Sequence, residues 1–195
     1  MKRPVRTVKG RTPARPAPPL TVTAPALLDP AGDDDGQFRE LVHGLLAFSQ
    51  RLEAVRSGFA AYLGLSGIQY TILISIAHLA PSQTVEVNSV ARHLHLSGAF
   101  VTIETGKLAR LGLIDKLPNP ADRRRVMLSV TARGEAELAR LAPLQQQVND
   151  ALFACIVPGE LSRQVEFVRE LLACSERAGS LLRHLLEQDG RRARA

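Results

Sequence analysis

The sequence predicts a mainly α fold with one small β-hairpin, the hairpin and a few short helices being set between two long helical stretches. Three observations predict it. Apolar residues recur at helical spacing from Gln37 onward and again after Thr131. A single segment, near 113–131, switches to strict alternation around a turn sequence. Aromatic residues make up 4% of the 195-residue chain and Trp is absent, while hydrophobic residues reach 45%. That composition suits a Leu- and Ala-rich helical core better than a β-sandwich.

Residues 1–36 precede this pattern. They combine scattered Lys and Arg with Pro4, Pro13, Pro16, Pro18, Pro19, Pro25 and Pro30, and they end in AGDDDG. Such a segment buries too little apolar surface to offset its ordering entropy, so a disordered basic tail is expected. Asp33 to Asp35 sit where acidic residues favour a helix N-terminus. Leu41, Leu45, Phe48, Leu52, Val55, Phe59 and Tyr62 are then spaced 4, 3, 4, 3, 4, 3, an apolar seam on a helix over about 37–63 that Gly64 ends. Ser66 caps a second helix to about residue 80, with Ile68, Leu73, Ile76 and Leu79 inward and Pro81 stopping it. TVEV at 84–87 reads as a very short strand or link, and 88–95 as a third helix packed through Val90, Ala91 and Leu94.

Ser97 caps a fourth helix, about 98–111, with Val101, Thr105 and Leu108 inward and Gly112 at the left-handed position beyond its end. Leu113–Leu117 reads as a strand. Val126, Leu128 and Val130 alternate with Met127, Ser129 and Thr131 as its partner, and NPADRRR is the turn between them. Thr131 caps a fifth helix to about 156, bent at Pro143, and a sixth runs over about 160–187 through Leu161, Val165, Val168, Leu172, Leu182 and Leu185.

This order is a winged helix-turn-helix flanked by long dimerisation helices. The DNA-binding core is expected over about 66–131, the dimerisation helices over about 37–63 and 132–187, and a second basic tail over 188–195. The outer seams are longer than one small domain covers, so a second copy packed by two-fold symmetry is the expected partner.

The formal charge of +6 favours polyanions, nucleic acid before membrane. No apolar run approaches the roughly 20 residues that span a bilayer, and the basic start lacks an apolar signal core, so a cytoplasmic location is expected. A hairpin after a helix-turn-helix lies along the DNA backbone or enters the minor groove, and arginine suits both because its guanidinium bridges phosphate oxygens. Arg123, Arg124 and Arg125 therefore read as DNA contacts. Asp122 reads as the group that accepts backbone N–H bonds at the tip or holds an arginine in position.

LSGIQYTILISIAHL, VNSVARHLHLSGAFVTIETGKLARLGLI and NPADRRRVMLSVTARG resemble the MarR family of bacterial transcriptional regulators, over about residues 37–187. The resemblance implies a homodimer on a palindromic operator in double-stranded DNA, nucleoid-associated when bound. It often implies repression relieved by a small aromatic or phenolic acid, or by cysteine oxidation. It places the helix from Ser97 to Leu111 in the major groove. There Ser97 and Thr102 suit phosphate or base-edge hydrogen bonds, and Phe100, Ile103 and Lys107 share a face. Phe100 and Ile103 would meet thymine methyls, the alternative being that one of them packs under the wing. Gly106 is an unusual residue for mid-helix, and Glu104 is unexpected beside DNA, where it pairs with Lys107 or a wing arginine or accepts from cytosine. The family's effector pocket lies between the dimer helices and the winged domain, and Arg51, Arg56, Tyr62 and Tyr70 sit on elements that would line it. The alternative is that the arginines coat the first helix and Tyr70 packs in the core.

Other signals are weaker. His93 and His95 diverge on a helix and make no shared metal site, and His43, His78 and His184 are scattered. Cys155 and Cys174 are expected as small buried hydrophobes on helices five and six. No Gly-rich phosphate loop, metal cluster or nucleophile elbow is present, so neither an enzyme nor a cofactor is expected. A winged-helix protein-interaction module without a DNA role and a thiol-based redox regulator are the competing assignments.

Overall fold

A computed structural model describes residues 19–32 and 34–192. The chain forms two compact units that divide after Tyr70. In the first unit, a short 3₁₀ turn at Pro25–Leu27 precedes helix α1, Gly36–Tyr62. The stretch before α1 is tied down. Asp35 is almost wholly buried, accepts from the Thr21 N–H at 2.7 Å and the Thr21 hydroxyl at 2.6 Å, and is ion-paired to Arg39. Arg39 also donates to the Pro19 carbonyl at 2.6 Å. Within the acidic run at the start of α1, Asp35 makes these ties, and Asp34 Oδ1 accepts the Asp35 N–H at 2.8 Å. Residues 1–18 and Asp33 lie outside the described residues.

Along α1 the expected seam divides. Phe59 is buried by its own chain, its ring meeting Tyr70 edge-on at a centroid distance of 6.1 Å, whereas Leu41, Leu45 and Phe48 are exposed. Gly64 follows at φ 68°, the left-handed geometry that ends the helix without a β-carbon penalty. Ser66 Oγ then accepts the Gln69 N–H, which starts helix α2, Gly67–Leu79. Ile72, Leu73 and Ile76 are fully buried, so α2 is a core helix.

In the second unit, helix α3 (Val87–His93), helix α4 (Gly98–Arg110), strands β1 (Ile114–Pro118) and β2 (Val126–Val130), helix α5 (Ala132–Leu152) and helix α6 (Leu161–Arg192) follow in order. β1 and β2 pair antiparallel from Ile114↔Val130 to Pro118↔Val126. TVEV makes no strand of its own. It contributes one bridge, Glu86↔Met127, and the Val85 carbonyl accepts the Leu128 N–H at 2.8 Å, because the chain turns at once into α3. α5 stops at Leu152, and α6 runs on to Arg192.

The core is built from alternate faces. Val90, Val101, Leu108, Leu128 and Leu141 are buried, as is Thr105, whose hydroxyl donates to the Val101 carbonyl. Thr131 joins the hairpin to α5. Its hydroxyl donates to the Gly112 carbonyl at 2.7 Å and accepts the Gly134 N–H at 3.0 Å. A β-carbon on Gly134 would sit 2.2 Å from the Leu113 carbonyl oxygen, so the fourth residue of this T-A-R-G cap has to be glycine. α6 is exposed along nearly its full length, with Leu161, Phe167, Val168, Leu172, Leu181 and Leu182 open.

Candidate nucleic-acid interface

α4 is oriented by what it buries. Val101, Thr105 and Leu108 point inward, which leaves Phe100 39% and Ile103 57% exposed on the other side. Neither is packed away under the wing. The Ser97 hydroxyl caps the helix by accepting the Phe100 N–H at 3.2 Å, and its own proton remains available to an acceptor. The Thr102 hydroxyl donates to the Gly98 carbonyl at 2.8 Å. Lys107 pairs with Glu104 at 2.7 Å. Glu104 is 5% exposed, and the intrahelical lysine is a partner that it holds. Its carboxylate fixes the Lys107 ammonium at the edge of the exposed face. Lys116 reaches back from β1 to the Thr105 hydroxyl at 3.2 Å. Gly106 has open space where a β-carbon would sit.

The wing turn is an organised loop. The Asn119 side-chain oxygen accepts the Ala121 N–H at 2.9 Å, and the Asn119 N–H donates to the Arg125 carbonyl at 2.9 Å. Asp122 Oδ1 accepts the Arg124 N–H at 3.1 Å, and Asp122 Oδ2 lies 3.4 Å from Arg125. Both roles weighed for Asp122 are therefore present together. Arg125 also pairs with Glu86 at 3.4 Å. Arg123 and Arg124 are exposed, and their guanidinium groups meet no partner among the described residues. One arginine holds the turn and two are left outward.

Sequence reasoning missed Glu86. It sits just before α3, its carboxylate accepts the Asn119 side-chain amide at 2.8 Å, and it pairs with Arg125, so it ties the wing to the helix-turn-helix. A carboxylate at a helix start has a local explanation as a cap, and its contact 33 residues onward leaves no local signal.

The residues considered for an effector fall into two groups. Tyr70 is 1% exposed, and burial raises the pKa of its hydroxyl, against the opposing charge of Arg56. Arg56 pairs with Glu53 at 2.9 Å. Arg51 donates to the Ala47 carbonyl on its own helix, and Tyr62 is 45% exposed. Cys155 and Cys174 are both exposed, contrary to the expected burial. Cys155 falls in the turn after α5, and Cys174 is on α6, whose apolar residues stay largely exposed among the described residues. The histidines are less scattered than their spacing implies: His78 and His93 rings stand 5.9 Å apart. The pKa of His93 is lowered by burial first, then by the charges of His78 and His95. Among the described residues no cluster of three or more His, Cys, Asp or Glu side chains is arranged for a metal, and no single helix is long and apolar enough to cross a membrane.

Comparisons with known proteins agree with this geometry. The MarR family model matches residues 63–125, from the end of α1 to the last wing arginine. The transcriptional repressor NicR of Pseudomonas putida is 25% identical over 137 residues, which are 70% of this chain and 85% of NicR. A mutant MarR from E. coli complexed with operator DNA superposes with a TM-score of 0.57 at 19% identity, covering 72% of this chain and 99% of that one. BpsR of Bordetella bronchiseptica, described in terms of regulation of its DNA binding by 6-hydroxynicotinic acid, superposes with a TM-score of 0.54 at 23% identity, covering 68% and 98%. These two structures share the fold.

Proposed function

We propose that this chain, a transcriptional regulator whose winged-helix segment is that of the MarR family, acts as a homodimeric repressor on a palindromic operator and is released by a small aromatic or phenolic acid. The observation that carries the DNA-binding part is the wing, where Asp122, Asn119, Glu86 and Arg125 hold each other and the Arg123 and Arg124 guanidinium groups stand unpaired among the described residues. Those two cations fit phosphate or the minor groove. α4 fits the major groove, with Phe100 and Ile103 against thymine methyls, Ser97 and Thr102 as hydroxyl contacts and Lys107 toward a base or phosphate.

The dimer is supported by open apolar surface. Leu41, Leu45 and Phe48 on α1 are exposed, and so, separately, are Leu161, Val165, Val168 and Leu172 on α6; rows of exposed apolar residues mark interaction surfaces. α1, α5 and α6 would then be dimerisation elements on either side of a core over about 66–131. Repression is supported by the 25% likeness to the repressor NicR, and release by an acid by BpsR of the same fold, named for regulation of its DNA binding by 6-hydroxynicotinic acid. Arg51 and Tyr62 remain exposed candidates for holding an acid, Arg56 is paired with Glu53, and Tyr70 would act through packing.

The test is a mobility shift with duplexes enriched by the protein from random DNA. A two-fold symmetric site bound by a dimer, and released by millimolar hydroxybenzoates, is the expected result. An asymmetric site bound by one subunit would reject the dimeric reading. A protein-interaction module without a DNA role would enrich no sequence at all.

A further inference from the structure

The outward face of α4 orders its chemistry along the helix. Ala99, Ile103 and Gly106 fall on one line at helical spacing, and Phe100 stands one turn before Ile103 at its edge. Ala99, Phe100 and Ile103 are exposed, and Gly106 has open space at its β-carbon. None of these four side chains forms hydrogen bonds. The polar groups bordering them are turned to the helix itself. The Thr102 hydroxyl donates to the Gly98 carbonyl at 2.8 Å, the Ser97 hydroxyl caps the helix, and the Glu104 carboxylate is buried and holds Lys107. A buried carboxylate is withdrawn from the groove and is not placed to accept from a cytosine amino group. The cations Lys107 and Arg110 come only in the last turn. The N-terminal turns of a recognition helix are the ones that meet base edges. In α4 those turns present carbon.

We propose that Phe100 and Ile103 select base pairs by the C5 methyl of a pyrimidine rather than by the hydrogen bonds of the base, so that 5-methylcytosine is accepted where thymine is, and methylation of a cytosine at that position tightens binding. The methyl is the apolar group that a base pair offers in the major groove. Thymine always carries it, and 5-methylcytosine carries it on an otherwise unchanged cytosine. A side chain that reads only the methyl tells thymine from cytosine and does not tell thymine from 5-methylcytosine. Lys107 and the wing arginines then supply attraction to phosphate, and the apolar strip supplies the choice of sequence. Occupancy of a site holding cytosine at such a position depends on the methylation state of the DNA. This readout rests on the DNA-binding reading of α4 and the wing, and on neither the dimer nor the acid.

The test uses the full-length protein and the duplex it enriches from random DNA. Each dT is replaced in turn by dU, which removes the methyl and leaves every hydrogen-bonding group in place. The positions under Phe100 and Ile103 should lose about fourfold in affinity, the worth of one buried methyl group. At those positions a C·G pair should bind about fourfold more weakly than the same pair carrying 5-methylcytosine. In Phe100→Ala and Ile103→Ala, whose side chains are exposed and not part of the core, each ratio should fall toward one at the position that residue covers. Arg123→Ala should lower affinity and keep both ratios. Indifference to dU at every position, or equal binding of cytosine and 5-methylcytosine at the sensitive ones, overturns the proposal. Ratios that persist in both alanine variants also overturn it, because the shape of the DNA would then carry the effect. If no duplex is enriched, the DNA-binding reading falls and the methyl readout with it. If a site is bound and the methyl makes no difference, the DNA-binding reading stands and the methyl readout alone falls.

Discussion

Two acidic residues, one in the wing and one at the start of α3, work by holding others. Asp122 and Glu86 are acidic groups close to a surface assigned to a polyanion, and simple charge counting says that removing either should tighten DNA binding. Their contacts say the opposite. Asp122 fixes the Arg124 backbone and the Arg125 guanidinium, and Glu86 fixes Asn119 and Arg125. Asp122→Ala is therefore expected to weaken DNA binding to nearly the extent of Arg124→Ala, read as Kd at one fixed salt concentration. Tighter binding would mean a basic loop without internal order. Arg123→Ala or Arg124→Ala should weaken operator and random DNA together and flatten the slope of log K against log salt by about one unit per lost phosphate contact. Phe100→Ala or Ile103→Ala should act differently. Each removes an apolar contact rather than a charge, so operator preference should fall with the salt slope unchanged.

Glycines show how one residue type serves two purposes at the scale of elements. Gly134 lets the first turn of α5 lie against the Leu113 carbonyl, and Gly134→Ala should lower stability in urea unfolding by several kcal/mol, because backbone rather than a flexible side chain must move. Gly106 has open space at its β-carbon, and Gly106→Ala should raise helix stability by about 1 kcal/mol. If that variant also loses operator affinity, close approach of DNA is what the glycine serves. Most elements were legible in the sequence because their punctuation is local: Ser97, Gly112 and Thr131 do in the structure what their residue types imply. The burial of seams was less legible. Periodicity gave α1 one continuous stripe, yet Phe59 is buried against Tyr70 within the chain while Leu45 is open. Spacing reports which side is apolar and not what covers it, and for the same reason the exposure of Cys155 and Cys174 and the tie from Glu86 to the wing were beyond it. Phe59→Asp, the obvious way to break a seam, would unfold the protomer. Leu45→Asp is the variant that isolates assembly: sedimentation should show a folded monomer that no longer binds a symmetric operator, and an intact dimer would remove α1 from the interface.

At the scale of the whole molecule, the acid limb of stability depends on two groups in different units. The Asp35 carboxyl is held far below the usual carboxylate range, first by its hydrogen bond to Arg39 and then by those from Thr21. A carboxylate with a depressed folded pKa contributes stability that is present above its unfolded pKa, near 4, and is lost as pH falls below that value. His93 behaves differently. Its pKa is lowered, so the unfolded chain binds the proton more tightly than the folded one, and stability falls as pH drops through the unfolded value of about 6.5. The two effects act in separate windows, about pH 6.5 and downward for the histidine and about pH 4 and downward for the aspartate. Urea unfolding across pH 3–8 should show a first decline below about pH 6.5 that His93→Gln removes, and a second below about pH 4 that Asp35→Asn removes. Asp35→Asn should also loosen Pro19–Thr21 from the start of α1, which limited proteolysis of that stretch detects at neutral pH. A first decline that persists in His93→Gln would assign it to another histidine and leave the His78–His93 pairing without an energetic role.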